Sequence, residues 1–355
     1  MPKFFDIKAG KTALAHIEKN GLQPDDISVI PAAAGGPKWI ALHAFDKYLM
    51  SHWFKDRDTP LHLVGASAGA WRMLCYCLPD PTEALDRFLQ SYIEQSYKVW
   101  PTPDEVVAVL ESIVHHTLGE NGVEYLMIKD SLKKLYVIST QTKFPEKKNS
   151  KYKYPLGKIA VKNLISRRLI KNDVNRLVFT NSLSTPIIKE DRFNTINIPF
   201  DEANVKHALR STGTIPMLMN PVNNIAGVDG LIWDGALIDY HIGLDYHTDK
   251  LVFYPHFAGE IIEGWFDKFT KWRKFNGAVL DKMILVSLSD SYIKSLPESK
   301  IPDRKDFETH FENEELRIKN WYEVAKRGED IVQEFDDLWR SGKLIDHIES
   351  FYTSV

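Results

Sequence analysis

A run of small residues around one serine is the part of this sequence best suited to chemistry. Gly65-Ala66-Ser67-Ala68-Gly69 follows an apolar segment typical of a buried strand and precedes a segment typical of a buried helix. A Gly-x-Ser-x-Gly turn between a strand and a helix is so tight that only small residues fit beside the serine. The turn places the hydroxyl at a helix N-terminus, where unpaired N–H groups favour a developing anion. We therefore predict that Ser67 is a nucleophile, with Gly65, Ala68 and Gly69 forming its elbow; close helix–sheet packing is the structural alternative.

A glycine pair occupies a similar position after the preceding predicted strand. Gly35-Gly36-Pro37-Lys38 opens a predicted helix, and glycine lets the main chain approach a substrate closely. The amides of Gly35, Gly36 and Lys38 are thus predicted to form an oxyanion hole facing Ser67. Phosphate binding is the rival interpretation, but the spacing of a Walker loop or of a dinucleotide fingerprint is missing.

A serine nucleophile also needs a base, and two aspartates in one turn-rich stretch are candidates. The residues 228–233 predict a hairpin that turns at Asp229-Gly230, so that the strand Leu231–Trp233 delivers Asp234 at its end. On this interpretation Asp234, in Asp234-Gly235-Ala236, is the base and Asp229 is a turn residue. Turn roles for both aspartates are the alternative.

These three motifs, in this order, resemble the patatin-like phospholipase family over roughly residues 26 to 290. The segment Ala208–Pro216 also resembles the Ala-x-x-Ser-x-x-x-x-Pro segment of the family. The resemblance implies a three-layer α/β/α sandwich with a mostly parallel central sheet. It further implies a lipid acyl hydrolase, of phospholipase, lysophospholipase or carboxylesterase type, in which Ser67 attacks the acyl carbonyl and Asp234 accepts its proton. Its substrate would be a phospholipid or another acyl ester.

The sequence departs from the family pattern after the aspartate. Where the family has Asp-Gly-Gly-x-x-x-Asn-x-Pro, this chain has Tyr240 at the asparagine position and Ile242 at the proline position. Pro37 also removes one N–H group from the predicted oxyanion loop.

The wider pattern predicts an α/β protein. Helical segments fall between most of the apolar runs that predict strands: 27–30, 61–64, 135–140, 177–180, 193–198, 251–254 and 283–288. Beyond about residue 300 the apolar residues recur at helical spacing. We predict a hydrolase domain over residues 1–300 and a helical C-terminal extension over 301–355 that packs on it.

Composition limits the class of protein. The chain has 355 residues, 44% of them apolar, and a formal net charge of −3, which argues against a nucleic-acid-binding protein. The N-terminus lacks a signal-peptide core and no apolar run reaches membrane-spanning length, so a cytoplasmic protein is expected. Cys75 and Cys77 do not face each other on a helix and are predicted to be unpaired. No motif calls for a metal or an organic cofactor.

Two segments suggest contact with a membrane surface. Between Lys143 and Lys171 there are ten basic residues and one acidic residue, which suits anionic headgroups or a solvated face. Trp265, Phe269 and Trp272, within Trp265–Phe275, would share one face of a helix, which suits an interfacial helix or packing on the protein body. Peripheral contact with an anionic membrane is therefore a hypothesis.

Three alternatives remain open at this point. An α/β-hydrolase would use a Ser-His-Asp triad, with its histidine among His241, His247 and His256. A non-catalytic binding protein could share the same fold. Acyl transfer to an acceptor other than water would use the same nucleophile.

Overall fold

The molecule is built around one mixed β-sheet. The structure is a computed structural model that describes residues 3–128, 130–144, 152–182, 186–270, 272–273, 275 and 277–351. The strands are β1 (Phe5–Ala9), β2 (Ile27–Ala32), β3 (Leu61–Ala66), β4 (Lys133–Thr142), β5 (Val174–Thr180), β6 (Thr195–Pro199), β7 (Val222–Ile225), β8 (Val228–Asp234), β9 (Leu251–His256), β10 (Met283–Leu288) and β11 (Ile348–Ser350). The helices are α1 (Lys11–Asn20), α2 (His43–Tyr48), α3 (Ala68–Cys77), α4 (Pro81–Ile93), α5 (Pro103–Leu118), α6 (Gly122–Leu126), α7 (Lys153–Ile165), α8 (Val205–Ser211), α9 (Asp290–Ser295), α10 (Lys305–Thr309) and α11 (Glu314–Arg340).

The strand order is β11-β1-β10-β9-β2-β3-β4-β5-β6, with β8 on β4 and β7 on β8. The five central strands, from β10 to β4, run parallel, and antiparallel pairing begins where β1 meets β10 and where β4 meets β5. The central strands β2, β9 and β10 are buried along their whole length, as expected for parallel strands covered on both faces. The fold is a three-layer α/β/α sandwich with a helical C-terminal extension, which confirms the predicted class.

The C-terminal extension is more than a helix. The long helix α11 packs against α2, and the chain then adds β11 as a parallel edge strand beside β1. The sequence pattern did not predict this three-residue strand. The division at residue 300 stays a prediction.

The predicted position of the hairpin turn was wrong. The turn lies at Ala226-Gly227, between β7 and β8, because Gly227 adopts a φ of 90° that suits the turn. Asp229 and Gly230 instead lie inside β8, which runs without interruption to Asp234. The prediction that this strand ends at Asp234 is confirmed.

Cys75 and Cys77 are buried and unpaired, as predicted. In the part of the chain that the structure describes, no helix is both long and apolar enough to cross a bilayer.

Candidate active site

Ser67 lies in a strained backbone conformation between β3 and α3. Its φ of 54° and ψ of −137° fall outside the regions that non-glycine residues normally adopt, at a cost of roughly 1–3 kcal/mol. Two hydrogen bonds hold it there: the Ala70 amide donates to the Ser67 carbonyl at 2.9 Å, and the Ser67 amide donates to Thr212 Oγ1 at 2.9 Å. The turn leaves the hydroxyl on the N-cap residue, immediately before the first residue of α3.

The glycines of the elbow are required by close packing. A Cβ atom on Gly65 would lie 2.6 Å from the Ala70 nitrogen, and one on Gly69 would lie 2.2 Å from the Ala32 carbonyl oxygen. Both distances are far below van der Waals contact, so α3 can pack this closely on β2 and β3 only with glycine at these positions.

The register of β4 explains how Ser67 and Asp234 meet. Parallel pairing between β3 and β4 ends at Ala66 opposite Ile138, and antiparallel pairing between β8 and β4 begins with Asp234 opposite Ser139. Because β5 occupies the other edge of β4, β3 and β8 lie along the same edge and meet end to end. Ala66 and Asp234, which are far apart in the sequence, are thus paired with two consecutive residues of β4, Ile138 and Ser139.

The two side chains form a direct hydrogen bond. Ser67 Oγ donates to Asp234 Oδ2 at 2.8 Å, and the other carboxylate oxygen accepts from the Ala236 amide at 2.8 Å. Burial raises the pKa of Asp234 to about 6, although the Ala236 amide, the Ser67 hydroxyl and the positive charges of Arg304 and Lys268 oppose this rise. A carboxylate that titrates near neutral pH and contacts a hydroxyl is suited to act as a general base.

Thr212 links the two reactive residues, and no local sequence signal pointed to it by itself. Its hydroxyl accepts from the Ser67 amide and donates to the Ile138 carbonyl at 2.5 Å. Two residues further on, the Thr214 carbonyl accepts from the Asp234 amide at 2.9 Å. The segment 208–216, noted in the sequence only as a motif, therefore positions both the serine and the aspartate.

The predicted oxyanion loop borders the same cleft as the serine. Gly35, Gly36 and Lys38 line it together with Ser67 and Asp234. Gly36 adopts a φ of 58°, which suits glycine, and a Cβ atom on Gly35 would lie 2.7 Å from the Phe257 ring. In the described residues the Gly35 amide has no protein acceptor, and the Gly36 amide opens a 3₁₀ helix, where N–H groups lack partners within the helix.

The cleft has a volume of about 650 Å³ and mainly apolar walls. One wall comes from the C-terminal extension, which sequence reasoning treated as packing only. The apolar lining includes Trp71, Tyr92, Trp100, Val106, Leu110, Ile113, Ile215, Met217, Leu218, Met219, Leu237, Trp265, Phe307 and Phe311. Such walls suit an acyl chain. Within the described residues, no group of three or more His, Cys, Asp or Glu side chains is arranged to hold a metal ion.

Comparison with known proteins places this chain in a family. The family model described as patatin-like phospholipase matches residues 35–241, which is more than half of the chain. The chain belongs to the patatin-like phospholipase family. Membership implies lipid acyl hydrolase activity.

Among solved structures, the crystal structure of VipD from Legionella pneumophila is similar at 13% sequence identity, with a TM-score of 0.31, over 86% of this chain and 67% of that chain. Comparison with curated protein sequences gave no significant match.

The departures from the pattern of the patatin-like family have structural counterparts. Ile242, at the family's proline position, has a φ of 46°, which the proline ring cannot adopt. Tyr240, at the asparagine position, lines the cleft, and its carbonyl accepts from the Ala34 amide at 2.9 Å, next to the glycine loop. The chain after Asp234 therefore takes its own path in this patatin-like protein.

The three histidines proposed for a triad lie away from the serine hydroxyl. Among the described residues, the hydrogen-bond partner of Ser67 Oγ is Asp234. The rings of His241 and His256 contact each other, with centroids 4.4 Å apart, and the Nδ1 atom of each lies at main-chain groups. Burial lowers the pKa of His256 to about 3 and also lowers that of His241. His247 is exposed. The geometry favours a serine–aspartate pair over a triad.

The basic segment Lys143–Lys171 is only partly a free surface. Residues 145–151 lie outside the described residues. Arg167 is buried and forms ion pairs with Glu263 and Asp267, both at 2.7 Å, and Lys162 pairs with Asp173 at 2.6 Å. Arg167 therefore serves the structure and is not available to a headgroup.

The aromatic segment Trp265–Phe275 does not form the predicted interfacial helix. It forms a short 3₁₀ turn, Trp265–Phe269, because Asp267 holds it by accepting from the Gly264 amide and from Asn163. Phe269 is 69% exposed and Trp272 is 70% exposed, so neither packs on the body. Residues 271, 274 and 276 lie outside the described residues.

Proposed function

We propose that the chain hydrolyses acyl esters of lipids through a Ser67 acyl-enzyme, with Asp234 as the base. The observation that carries the proposal is the 2.8 Å hydrogen bond from Ser67 Oγ to Asp234 Oδ2 at the floor of an apolar cleft. Asp234 takes the hydroxyl proton while Ser67 Oγ attacks the acyl carbonyl carbon. The proton then passes to the leaving alcohol as the ester bond breaks. A water molecule, activated by Asp234, attacks the acyl-enzyme and releases the fatty acid and Ser67.

The negative charge that forms on the carbonyl oxygen needs donors. We assign this role to the amides of Gly35 and Gly36, with that of Lys38, aided by the N-terminus of α3 beside Ser67. Loss of one such donor typically lowers the rate by about 10²–10³. The strained φ of Ser67 supports this proposal, because strain of this kind persists where the surrounding structure enforces it for a purpose.

The exposed aromatic residues beside the cleft support a peripheral role at lipid surfaces. Trp265 and Lys268 line the cleft, Phe269 is the next residue after Lys268, and Trp272 lies three positions beyond Phe269. Insertion of these two rings into an anionic interface would bring the mouth of the cleft to the lipid. Contact of Phe269 and Trp272 with an anionic membrane is part of the proposed function.

Labelling with a fluorophosphonate probe tests the mechanism directly. Wild-type protein should be labelled and Ser67→Ala should not, because the probe bonds to an activated serine. Asp234→Asn should keep its fold and lose about 10²–10⁴ of its esterase rate, the usual contribution of a general base. The matched control is Asp229→Asn on the same strand, where the carboxylate is exposed. Labelling of Ser67→Ala at another residue, or full activity in Asp234→Asn, would reject the mechanism.

A further inference from the structure

Two cations in the cleft form no direct ion pair within the part of the chain that the structure describes. Lys268 and Arg304 both line the cleft that holds Ser67. Across the described parts of the chain, neither forms an ion pair with a carboxylate, whereas Arg273, five residues beyond Lys268, pairs with Asp267. Both cations lie outside residues 35–241, the span that the family model matches.

Lys268 is fixed in place from two sides. Its Nζ atom lies 3.8 Å from the centroid of the Tyr240 ring, a close cation–π contact. Its neighbour Asp267 is buried and accepts from Asn163 and Arg167, both at 2.7 Å, which anchors the turn to α7. The ammonium group is thus held in the cleft by a residue, Tyr240, that replaces the family's asparagine.

Arg304 lines the same cleft as Lys268 and belongs to the C-terminal extension. Its side chain passes over the glycine loop, because a Cβ atom on Gly36 would lie 3.5 Å from Arg304 Cγ. Its positive charge acts on Asp234, where it opposes the effect of burial on the pKa. Arg304 therefore lines the cleft beside the glycine loop, together with Ser67 and Asp234.

Holding several cations close together is unfavourable, even with the carboxylates of Asp234, Asp303, Glu308 and Glu314 in the same lining. Burial lowers the pKa of Lys268 to about 7, and the charges of Lys38 and Arg304 contribute to this lowering, with only Asp234 acting in the opposite direction. Asp303 also lies in the cleft and its charge acts on Lys38, but its carboxylate forms an ion pair with Lys300 at 3.7 Å and accepts from the Lys305 amide at 2.8 Å. An anionic ligand would relieve the repulsion, and a guanidinium fork beside an ammonium group suits phosphate oxygens.

We propose that Lys268 and Arg304, together with Lys38, bind the phosphate of the substrate headgroup, so that the cleft selects phosphate-bearing lipids over uncharged acyl esters. This inference rests on the proposed hydrolase function. The acyl chain occupies the apolar walls, the ester lies at Ser67, and the phosphate is held between the turn 264–270 and the C-terminal extension.

Turnover of a matched substrate pair tests the selection. Lauroyl-lysophosphatidic acid and monolauroylglycerol, each below its micelle-forming concentration, differ in the phosphate. The ratio measured is kcat/KM for lauroyl-lysophosphatidic acid divided by kcat/KM for monolauroylglycerol. The double variant Lys268→Met/Arg304→Met should lower this ratio at least about tenfold, as expected for lost charge-assisted hydrogen bonds. Lys11→Met, at an exposed lysine on α1, should leave the ratio unchanged. An unchanged ratio in the double variant overturns the inference.

Binding to a Ser67→Ala protein separates this inference from the proposed function, because it needs no turnover. In calorimetry, dodecyl phosphate should bind at least about tenfold more tightly to Ser67→Ala than to the same protein with Lys268→Met/Arg304→Met. Equal affinities reject the subsite. Inorganic phosphate that binds as tightly as dodecyl phosphate would indicate a free-phosphate site and reject the headgroup assignment. A wild-type chain that hydrolyses neither lipid would refute the hydrolase proposal and leave the binding result valid.

Discussion

The hydroxyl of Thr212 accepts a hydrogen bond from the amide of Ser67 at 2.9 Å, and this contact crosses from the end of α8 to the elbow at the end of β3. The same hydroxyl donates to Ile138 on β4. Thr212 is buried, so no solvent molecule competes for either bond. The strained conformation of Ser67 is thus supported by a side chain that is not among those lining the cleft.

Removal of this hydroxyl should impair catalysis more than substrate binding. Thr212→Val has nearly the same shape but cannot accept from the Ser67 amide, which leaves a buried donor unpaired. We expect kcat to fall about 10–100-fold, because a displaced Ser67 hydroxyl is no longer aligned with the acyl carbonyl. KM should change by less than about threefold. Steady-state kinetics on a soluble ester measures both values.

Thr212→Ser is the matched control, because it keeps the hydroxyl. It should restore kcat to near the wild-type value. A Thr212→Val variant with wild-type kcat would show that the elbow keeps its shape without this bond.

Gly235 should not tolerate even one methyl group. Its Cβ atom would lie 2.3 Å from the Ile138 carbonyl oxygen and 2.9 Å from Ala66 Cβ, where β8 and β3 meet. We expect Gly235→Ala to lower the free energy of unfolding by about 2 kcal/mol or more, because both neighbours are backbone or buried side chain. Urea denaturation measures this change.

Gly157→Ala provides the contrast for that measurement. Gly157 lies in α7, and among the described residues no atom beyond its chain neighbours and its own helix backbone lies within 4 Å of the position that the alanine methyl group would take. Alanine should therefore stabilise the helix by about 0.5–1 kcal/mol. Equal effects of the two substitutions would contradict the packing argument at Gly235.

Much of this site could be predicted from local sequence. The strand Met283–Leu288 has the predicted bounds, because a buried apolar run is a local signal. Ser67 and Asp234 were found through glycine-rich turns whose residue types are fixed by backbone sterics. Their meeting could not be read from either motif, because it depends on the register of a third segment, β4.

Other features had no local signal. The strand β11 is three residues long and pairs with β1 at the opposite end of the chain. The cleft wall supplied by Arg304 and Phe307 depends on how the C-terminal extension packs. Asp267 is anchored to α7 and holds its segment in a short turn, which leaves Phe269 and Trp272 exposed. The spacing of the aromatic residues had predicted a helix in this segment, and that prediction was wrong.

Phe269 and Trp272 should mediate binding to anionic vesicles. Two exposed aromatic rings near the cleft favour the interface between headgroups and acyl chains. Replacing both with serine should move most of the protein from the floating to the soluble fraction in a flotation assay with phosphatidylglycerol vesicles.

Leu316→Ser serves as the control for this assay, because Leu316 is an exposed apolar residue on α11. It should leave flotation unchanged. Wild-type protein that stays in the soluble fraction would count against membrane contact altogether.

Esterase activity should fall in acid as Asp234 becomes protonated. Because burial raises the pKa of Asp234 to about 6, kcat/KM should rise about tenfold per pH unit below that value and level off above it. The positive charge of Lys268 lowers the pKa of Asp234, so Lys268→Met should raise that pKa and move the acid limb to higher pH. A pH–rate profile on an uncharged soluble ester measures the shift, and a limb near pH 4 in the wild type would contradict the assignment.

The same carboxylate should reduce the stability of the folded protein as the pH rises from about 4 to about 6. The pKa of Asp234 is higher in the folded chain, about 6, than the ordinary value of 3.8, so the folded state favours the protonated form. The stabilising contribution of this proton is complete below about pH 4 and is lost as the pH rises through 6. Asp234→Asn mimics the neutral form and should gain stability relative to the wild type between pH 5 and 8, by on the order of 1–3 kcal/mol. Urea denaturation of both proteins across this range measures the difference, and a difference that stays constant with pH would show that Asp234 is already ionised at pH 5.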